Sequence, residues 1–469
     1  MQRKRHYALI ALFVITSAVL LVSPIEWFTA NGKQTQSVTQ PCVIKAVFRN
    51  HIRRLNYLTG YHWKSNLLLQ AAPSIFRFIE RVTTIKHSWK KMTDESYPTL
   101  HPITMFLCGD VMTGRGIDQV LPYPNDPILY EPYMKSARGY VEIAEQANGP
   151  IPQPVGWAYI WGDAIDELKR VAPDLRIINL ETSITKDDNY WKHKGINYRM
   201  HPANIACLTA AEIDYCSLAN NHILDWGYSG LRETLETLRQ AGIKSAGAGR
   251  NLQKAQLPAV IEITGKGRVI VFSYGVPTSG IPLSWAAAQD MPGINLLVEL
   301  SATTVRSIKK SVESIRQARD IVVVSIHWGG NWGYRIPSEQ VTFAHQLIDE
   351  AGADVIHGHS SHHIKAIEVY HDKPILYGCG DFINDYEGIS GHEEFRDDLG
   401  LMYFVSMEPS TGKLVHLSMT PTRINNFRVN RASYDDMLWL KNVLDRESKR
   451  FGTRIEIGAD NSLVARGDQ

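Results

Sequence analysis

From Ile103 onward, short apolar runs alternate with stretches of helical spacing, and this alternation constrains the fold more than any other feature of the chain. "ITMFLC", "LRIINL", "IDYCSLA", "AVIEI", "RVIVFSYG", "DIVVVSI" and "ADVI" read as strands. Between them, "WGDAIDELKRV", "ANIACLTAAE", "GYSGLRETLETLRQAG", "SATTVRSIKKSVESIRQA" and "SEQVTFAHQLIDEAG" read as helices, the last with a Ser-x-Glu start and a glycine end. "KAIEVY" and "KPILYG" follow as two strands joined by a turn at "HDK". A helix, "YDDMLWLKNVLDRESKRFG", and a strand, "TRIEIG", close the chain. Strands this apolar are covered on both faces, so the alternation predicts an α/β layered fold with a buried sheet.

The strand ends carry chemistry. In an open α/β sheet, ligands bind outside the carboxyl ends of the strands. "ITMFLC" leads to Asp110, and "LRIINL" to Glu181. "IDYCSLA" leads to Asn220, Asn221, His222 and Asp225, and "DIVVVSI" to His327. "ADVIHG" leads to His359, His362 and His363 in a segment with four histidines in seven residues; the first of them, His357, lies within the strand and reads as structural. Carboxylate, amide and imidazole donors without thiolate suit Zn²⁺, Mn²⁺ or Fe²⁺. A carboxylate able to bridge, with ligands on both sides, is what a two-metal hydrolytic centre requires.

Other residues admit two readings. Asp225 caps the next helix or orients His222. Arg115, in a glycine-flanked loop, clamps a phosphate or carboxylate, or stands in solvent. Asn220 and His363 face substrate or pack within the fold. Trp328 and Trp332 read as pocket walls. Asp381 and Asn384, in "DFINDYEG", support the ligands or face substrate, or they close a tight loop.

Taken together and in this order, "GDVMTGRG", "NLETSI", "LANNHILDWG", "SIHWGGNW", "GHSSHH" and "ILYGCGDFINDYEG" resemble the bacterial capsule synthesis protein CapA family. The resemblance spans about Ile103 to Arg428. That family is associated with poly-γ-glutamate synthesis, and its fold is similar to calcineurin-like metallophosphoesterases. The resemblance implies a four-layer α/β/β/α sandwich with metal at the sheet edge. It implies Asp110, Glu181 (at the bridging position), Asn221, His327, His359 and His362 as metal ligands, and His222 as the group that contacts substrate or leaving group. There are two departures. Met112 stands where metallophosphoesterases have a histidine, and the closing histidines are spaced H-x-x-H instead of H-x-H. One or two divalent ions (Mn, Zn or Fe) are therefore implied. The expected activity is metal-dependent hydrolysis of an anionic polymer or phosphoester. The alternative is a non-catalytic membrane-anchored subunit that binds or helps export an anionic polymer beside membrane synthase subunits.

The N-terminus suggests location. "MQRKRH" is basic, and Tyr7 to Ser23 is apolar without a charge. This pattern predicts a membrane anchor over 1–28, with a cleaved signal peptide as the alternative, a basic and aromatic juxtamembrane stalk or linker over 29–97, and the main domain over 98–469. A basic flank held in the cytoplasm puts the main domain outside it. The net charge of +2 over 469 residues gives no reason to expect nucleic acid. Five scattered cysteines without a C-x-x-C pair read as ordinary thiols, although export would permit a Cys207–Cys216 bridge.

Overall fold

The computed structural model describes residues 101–467. The expected anchor and stalk, with Cys42, lie outside the described residues. In chain order the main elements are β1 (Ile103–Val111), α1 (Arg138–Asn148), α2 (Asp163–Val171), β2 (Leu175–Leu180), β3 (Tyr215–Ser217), α3 (Gly227–Gln240) and β4 (Lys244–Ala246). Next come β5 (Ala259–Ile263), β6 (Gly267–Gly275), α4 (Ala302–Glu313), β7 (Asp320–His327), α5 (Ser338–Asp349), β8 (Val355–His359), β9 (Ile367–Tyr370) and β10 (Lys373–Leu376). The last are β11 (Asp381–Ile383), β12 (Leu399–Glu408), β13 (Lys413–Asn425), β14 (Arg428–Arg431), α6 (Tyr434–Ser448), β15 (Thr453–Ile457) and β16 (Leu463–Gly467).

These strands build two main sheets. One has ten strands in the order β15-β16-β13-β12-β1-β2-β3-β4, with β11 beside β1 and β14 beside β13. The other has six, in the order β9-β10-β8-β7-β6-β5. Side chains alternate across each strand, and the three large apolar clusters follow that period of two. Met105, Leu107 and Ile177 from the first sheet meet Val271, Ile321, Val323 and Val355 from the second. Phe106, Cys108 and Ile178 face outward to Leu168 of α2 and Leu231 and Leu238 of α3. On the far side, Val322, Val324 and Ile326 pack against Val305 and Ile308 of α4 and Phe343 and Leu347 of α5. The result is the four-layer α/β/β/α sandwich.

Local differences from the sequence reading have physical causes. "ANIACLTAAE" yields only a 3₁₀ turn, Pro202–Ile205, and a short helix, Ala206–Ala210. Glu212 then takes a left-handed φ of 53°, which turns the chain into β3. α5 is not capped by a side chain: Pro337 holds the N-cap position and Ser338 is the first helical residue. The turn at "HDK" has positive φ at both His371 and Asp372, the primed geometry that suits a tight hairpin between β9 and β10. Cys108, Cys207, Cys216 and Cys379 are all buried free thiols, so Cys207 and Cys216 are not bridged. Among the described residues, no helix is long and apolar enough to cross a membrane.

Candidate metal centre

The centre lies between the two sheets, at the carboxyl ends of their parallel strands. Side-chain parity explains why. Along β7, Ile321 and Val323 face the opposite sheet, so Ser325 and His327 do too. Val355, His357 and His359 follow the same rule on β8, where His327 and His359 are direct Cα partners. On β2, Leu175 and Ile177 face inward, and Asn179 and Glu181 continue that face.

β1 would break this pattern without a bulge. Its inward residues are Ile103, Met105 and Leu107, so a regular strand would turn Asp110 outward toward the helices. Between Leu107 and Asp110 the register against β2 shifts: Leu107 pairs with Ile177, but Asp110 pairs with Asn179. The extra residue brings Asp110 back to the inner face. There Asn179 Nδ2 donates to Asp110 Oδ1 at 2.8 Å, and Ser360 N donates to Oδ2 at 3.2 Å.

Gly109 is needed at the same place. The amide of Asp110 donates to Gly380 O at 2.9 Å, and a Cβ on Gly109 would lie 1.6 Å from that oxygen. Gly109→Ala must therefore push β1 and β11 apart. The expected result is a loss of several kcal/mol, about 3 or more, in line with overpacking of a rigid core position. Chemical denaturation checks this; a midpoint equal to that of wild type would contradict it.

Asp110 belongs to two groups whose ligand atoms lie within 4.8 Å of one another: Asp110–His327–His359 and Asp110–His362–Asp381. His327 Nδ1 and His359 Nδ1 stand 2.8 Å apart, and His359 Nδ1 is 4.0 Å from Asp110 Oδ1. His327 Nε2 meets Asn221 Oδ1 at 2.9 Å. His362 Nδ1 lies 3.0 Å from Asp381 Oδ1. Glu181 lies between the first group and His222: its Oε1 is 3.7 Å from His222 Nε2 and 3.9 Å from His327 Nε2. Its Oε2 is buried with no hydrogen-bond partner.

Charge in this cluster is under-compensated. Burial, and next the neighbouring Asp381, push the Asp110 carboxyl up to about 7. Burial and Asp110 push Glu181 well above the carboxylate range. Burial holds His327 and His359 well below the usual imidazole value, hence neutral. His362 moves the other way: burial works against its charge, but Asp381 outweighs it and raises the pKa. Neutral imidazoles beside carboxylates that resist ionisation are a donor set waiting for positive charge. With the partnerless oxygen of Glu181, these residues fit a divalent cation held by oxygen and nitrogen.

Beside the cluster, Asp225 does not cap α3, whose N-cap is Trp226. It holds His222: Oδ2 lies 2.6 Å from His222 Nδ1 and accepts from Tyr198 N at 2.6 Å. Lys194, which the sequence reading missed, pairs with Asp225 Oδ1 at 2.7 Å and stands 3.0 Å from His222 Nδ1. It comes from the irregular segment between Ile184 and Arg199, where no periodicity marks it. Donation from Nδ1 to Asp225 leaves Nε2 unprotonated, 3.7 Å from Glu181 Oε1 and beyond hydrogen-bond reach. Burial, and next Lys194, hold the His222 pKa at about 4. Replacing Lys194 with Met removes a cation, so the imidazole pKa rises, by about one to two units. An NMR titration of His222 reads this directly; an unchanged or lower value would remove Lys194 from the account.

Of the three residues expected to bind substrate, Arg115 and Asn220 spend their polar groups within the protein, whereas His363 keeps a buried Nε2 without a hydrogen-bond partner. Arg115 is buried; it donates to Asp385 Oδ1 at 2.5 Å, to Glu131 Oε1 at 3.1 Å and to Tyr140 Oη at 3.0 Å. Its clamp closes on this chain's own carboxylates. Asn220 donates to Asn179 Oδ1 at 3.1 Å and Leu180 O at 2.8 Å, and accepts from His222 N at 3.1 Å, bracing β2 against the following loop. His363 is buried against Phe395 and Tyr334, with ring centroids 4.7 and 4.8 Å away. Trp328 is a core residue that donates to Tyr377 O. Trp332 does border the centre, stacked on His392 and 5.5 Å from His362. His357 is structural, tied to Ser325 Oγ at 3.1 Å and Cys108 O at 2.7 Å.

The family model for the bacterial capsule synthesis protein PGA_cap matches residues 104–386, a span that includes every residue of this centre. A probable polyglutamine synthesis accessory protein of Mycobacterium tuberculosis is 49% identical over 362 residues, covering 77% of this chain and 95% of that protein. Capsule biosynthesis protein CapA of Bacillus anthracis is 25% identical over 312 residues, covering 65% of this chain and 66% of its own. PGA biosynthesis protein CapA of Bacillus subtilis is 27% identical over 248 residues, covering 53% and 60%.

Proposed function

Because this chain belongs to the bacterial capsule synthesis protein family, we propose that it serves poly-γ-glutamate synthesis as an accessory protein that carries out metal-dependent hydrolysis. The observation that carries this reading is the buried group of Asp110, His327 and His359 at the strand edge. Two relatives are named for capsule or PGA biosynthesis, and a third as a polyglutamine synthesis accessory protein.

Asp110, His327, His359, His362 and Asn221 would hold divalent ions, with Glu181 beside them. Bound Mn, Zn or Fe supplies Lewis-acid activation of water and neutralises charge that develops on the substrate. The protein groups do the rest. Asp225 fixes the His222 ring, and Nε2 faces the cluster, ready to take a proton and return it to the leaving oxygen. Lys194 keeps that imidazole neutral between turnovers. Arg115 holds Asp385 and Glu131 in place. The apolar segment Tyr7 to Ser23 would tether the domain outside the cytoplasm. There an anionic polymer and membrane synthase subunits would be its partners.

One observation favours a second reading. Every member of the two ligand groups is buried, and His362, at 9% exposed, is the most accessible. So enclosed a centre also suits a non-catalytic subunit that binds or helps export an anionic polymer. The protein reconstituted with Mn²⁺, Zn²⁺ or Fe²⁺ and offered phosphoesters and γ-glutamyl polymers separates the two. Turnover that falls at least about 100-fold in His222→Ala supports hydrolysis. Tight metal binding without turnover on any of these substrates would reject hydrolysis and leave the binding role.

A further inference from the structure

We propose that Asp381 is a metal ligand that replaces the one missing at Met112, so that Asp110 is shared by two cations. The proposal rests on the metal-centre reading above. Met112 is fully buried, and its soft thioether accepts a weak hydrogen bond from Tyr386 Oη at 3.7 Å. It offers nothing to a hard cation. Asp381 comes from another strand. β11 runs parallel to β1, and Asp110 and Asp381 are direct Cα partners.

Two Gly-Asp pairs, Gly109–Asp110 and Gly380–Asp381, lie back to back. Gly380 has a φ of 76°, and a Cβ on Gly109 would lie 1.6 Å from Gly380 O. Only glycines allow this approach, and its effect is to place two buried carboxylates side by side. Without positive charge between them, that arrangement is repulsive.

The carboxylate of Asp381 is oriented for ligation. Its Oδ1 lies 3.0 Å from His362 Nδ1, and its Oδ2 accepts from Asn384 Nδ2 at 2.9 Å. Asp110, His362 and Asp381 present ligand atoms within 4.8 Å of one another. Next to Asp110, the partnerless Oε2 of Glu181 is a second sign that positive charge belongs here. An ion pair between His362 and Asp381 alone would explain their contact, but not the apposed Asp110.

The test is Mn²⁺ binding to the chelator-stripped full-length protein, by equilibrium dialysis with electron paramagnetic resonance. Wild type is expected to hold two Mn²⁺ with an exchange-coupled spectrum. Asp381→Asn is expected to hold one, with an isolated six-line spectrum and the second equivalent weakened at least about 100-fold. Adding Met112→His to Asp381→Asn should restore the second ion. Should Asp381→Asn fail to fold, Asp381→Glu, which keeps the charge and displaces the oxygens by one methylene, should still weaken the second ion at least about 10-fold. Two coupled ions retained in Asp381→Asn, or in a folded Asp381→Glu at wild-type affinity, would overturn the proposal and leave the metal centre standing. A single ion in wild type would do the same. No ion in wild type would overturn both.

Discussion

Asp110→Ala abolishes binding of every cation at the centre, whereas His327→Ala with His359→Ala removes one and leaves the Asp110–His362–Asp381 group intact. The difference follows from sharing: Asp110 alone belongs to both groups. Under the proposed hydrolytic role, the effect on turnover would be large in both cases. A cation that polarises its substrate contributes several kcal/mol to the transition state, so kcat/KM falls by about 10³-fold or more. The effect on the fold is smaller. Asp110→Ala strands Asn179 Nδ2 and Ser360 N, which now donate to the carboxylate. It also relieves the repulsion between Asp110 and its buried neighbours Asp381 and Glu181. The metal-free variant should therefore unfold within about 2 kcal/mol of metal-free wild type. Titration calorimetry and denaturation of the same samples check both halves. Residual tight binding of even one ion in Asp110→Ala would contradict the shared-ligand geometry.

The second large effect is a pH dependence that chelation exposes. In the metal-free fold, burial and the neighbouring Asp381 raise the Asp110 pKa from 3.8 to about 7. The sign is set by linkage. Below pH ~4 both folded and unfolded chains carry the proton, and the group costs nothing. As pH rises from about 4 to about 7, the unfolded chain releases the proton while the folded chain keeps it, so stability falls. Above about 7 the penalty is constant, on the order of 4 kcal/mol. Glu181, raised for similar reasons, adds in the same direction. A bound cation keeps both carboxylates ionised and cancels the loss. Adding EDTA should therefore lower Tm only slightly at pH 5 and by at least about 5 °C at pH 8. A chelator shift that stays level across that range would contradict the electrostatic account.

The layered fold was legible because strands buried on both faces leave long apolar runs, as "DIVVVSI" does. The strand-end residues were legible for the same reason: Glu181, His327 and His359 simply continue the inward face of their strands. Asp110 is different. Counting by twos along β1 would turn it outward, and the bulge that corrects this leaves no mark in the residue pattern. Asp381 was seen but not placed, because β11 has only three residues and reaches β1 through a long connection. The surroundings of Arg115 were hidden for a related reason. Its partner Asp385 lies 270 residues away in the chain, so a guanidinium enclosed by its own protein looks, in sequence, like one free for a ligand. Lys194 sits in an irregular segment where only the third dimension brings it to Asp225.

Whether the strand-edge cluster holds divalent cations is read by elemental analysis of the full chain. It would be purified without chelator or histidine tag, beside the His327→Ala/His359→Ala variant. Wild type is expected to carry two equivalents of Mn, Zn or Fe, of which the variant loses one. Wild-type protein that carries no metal, even after reconstitution with each ion, would contradict that expectation.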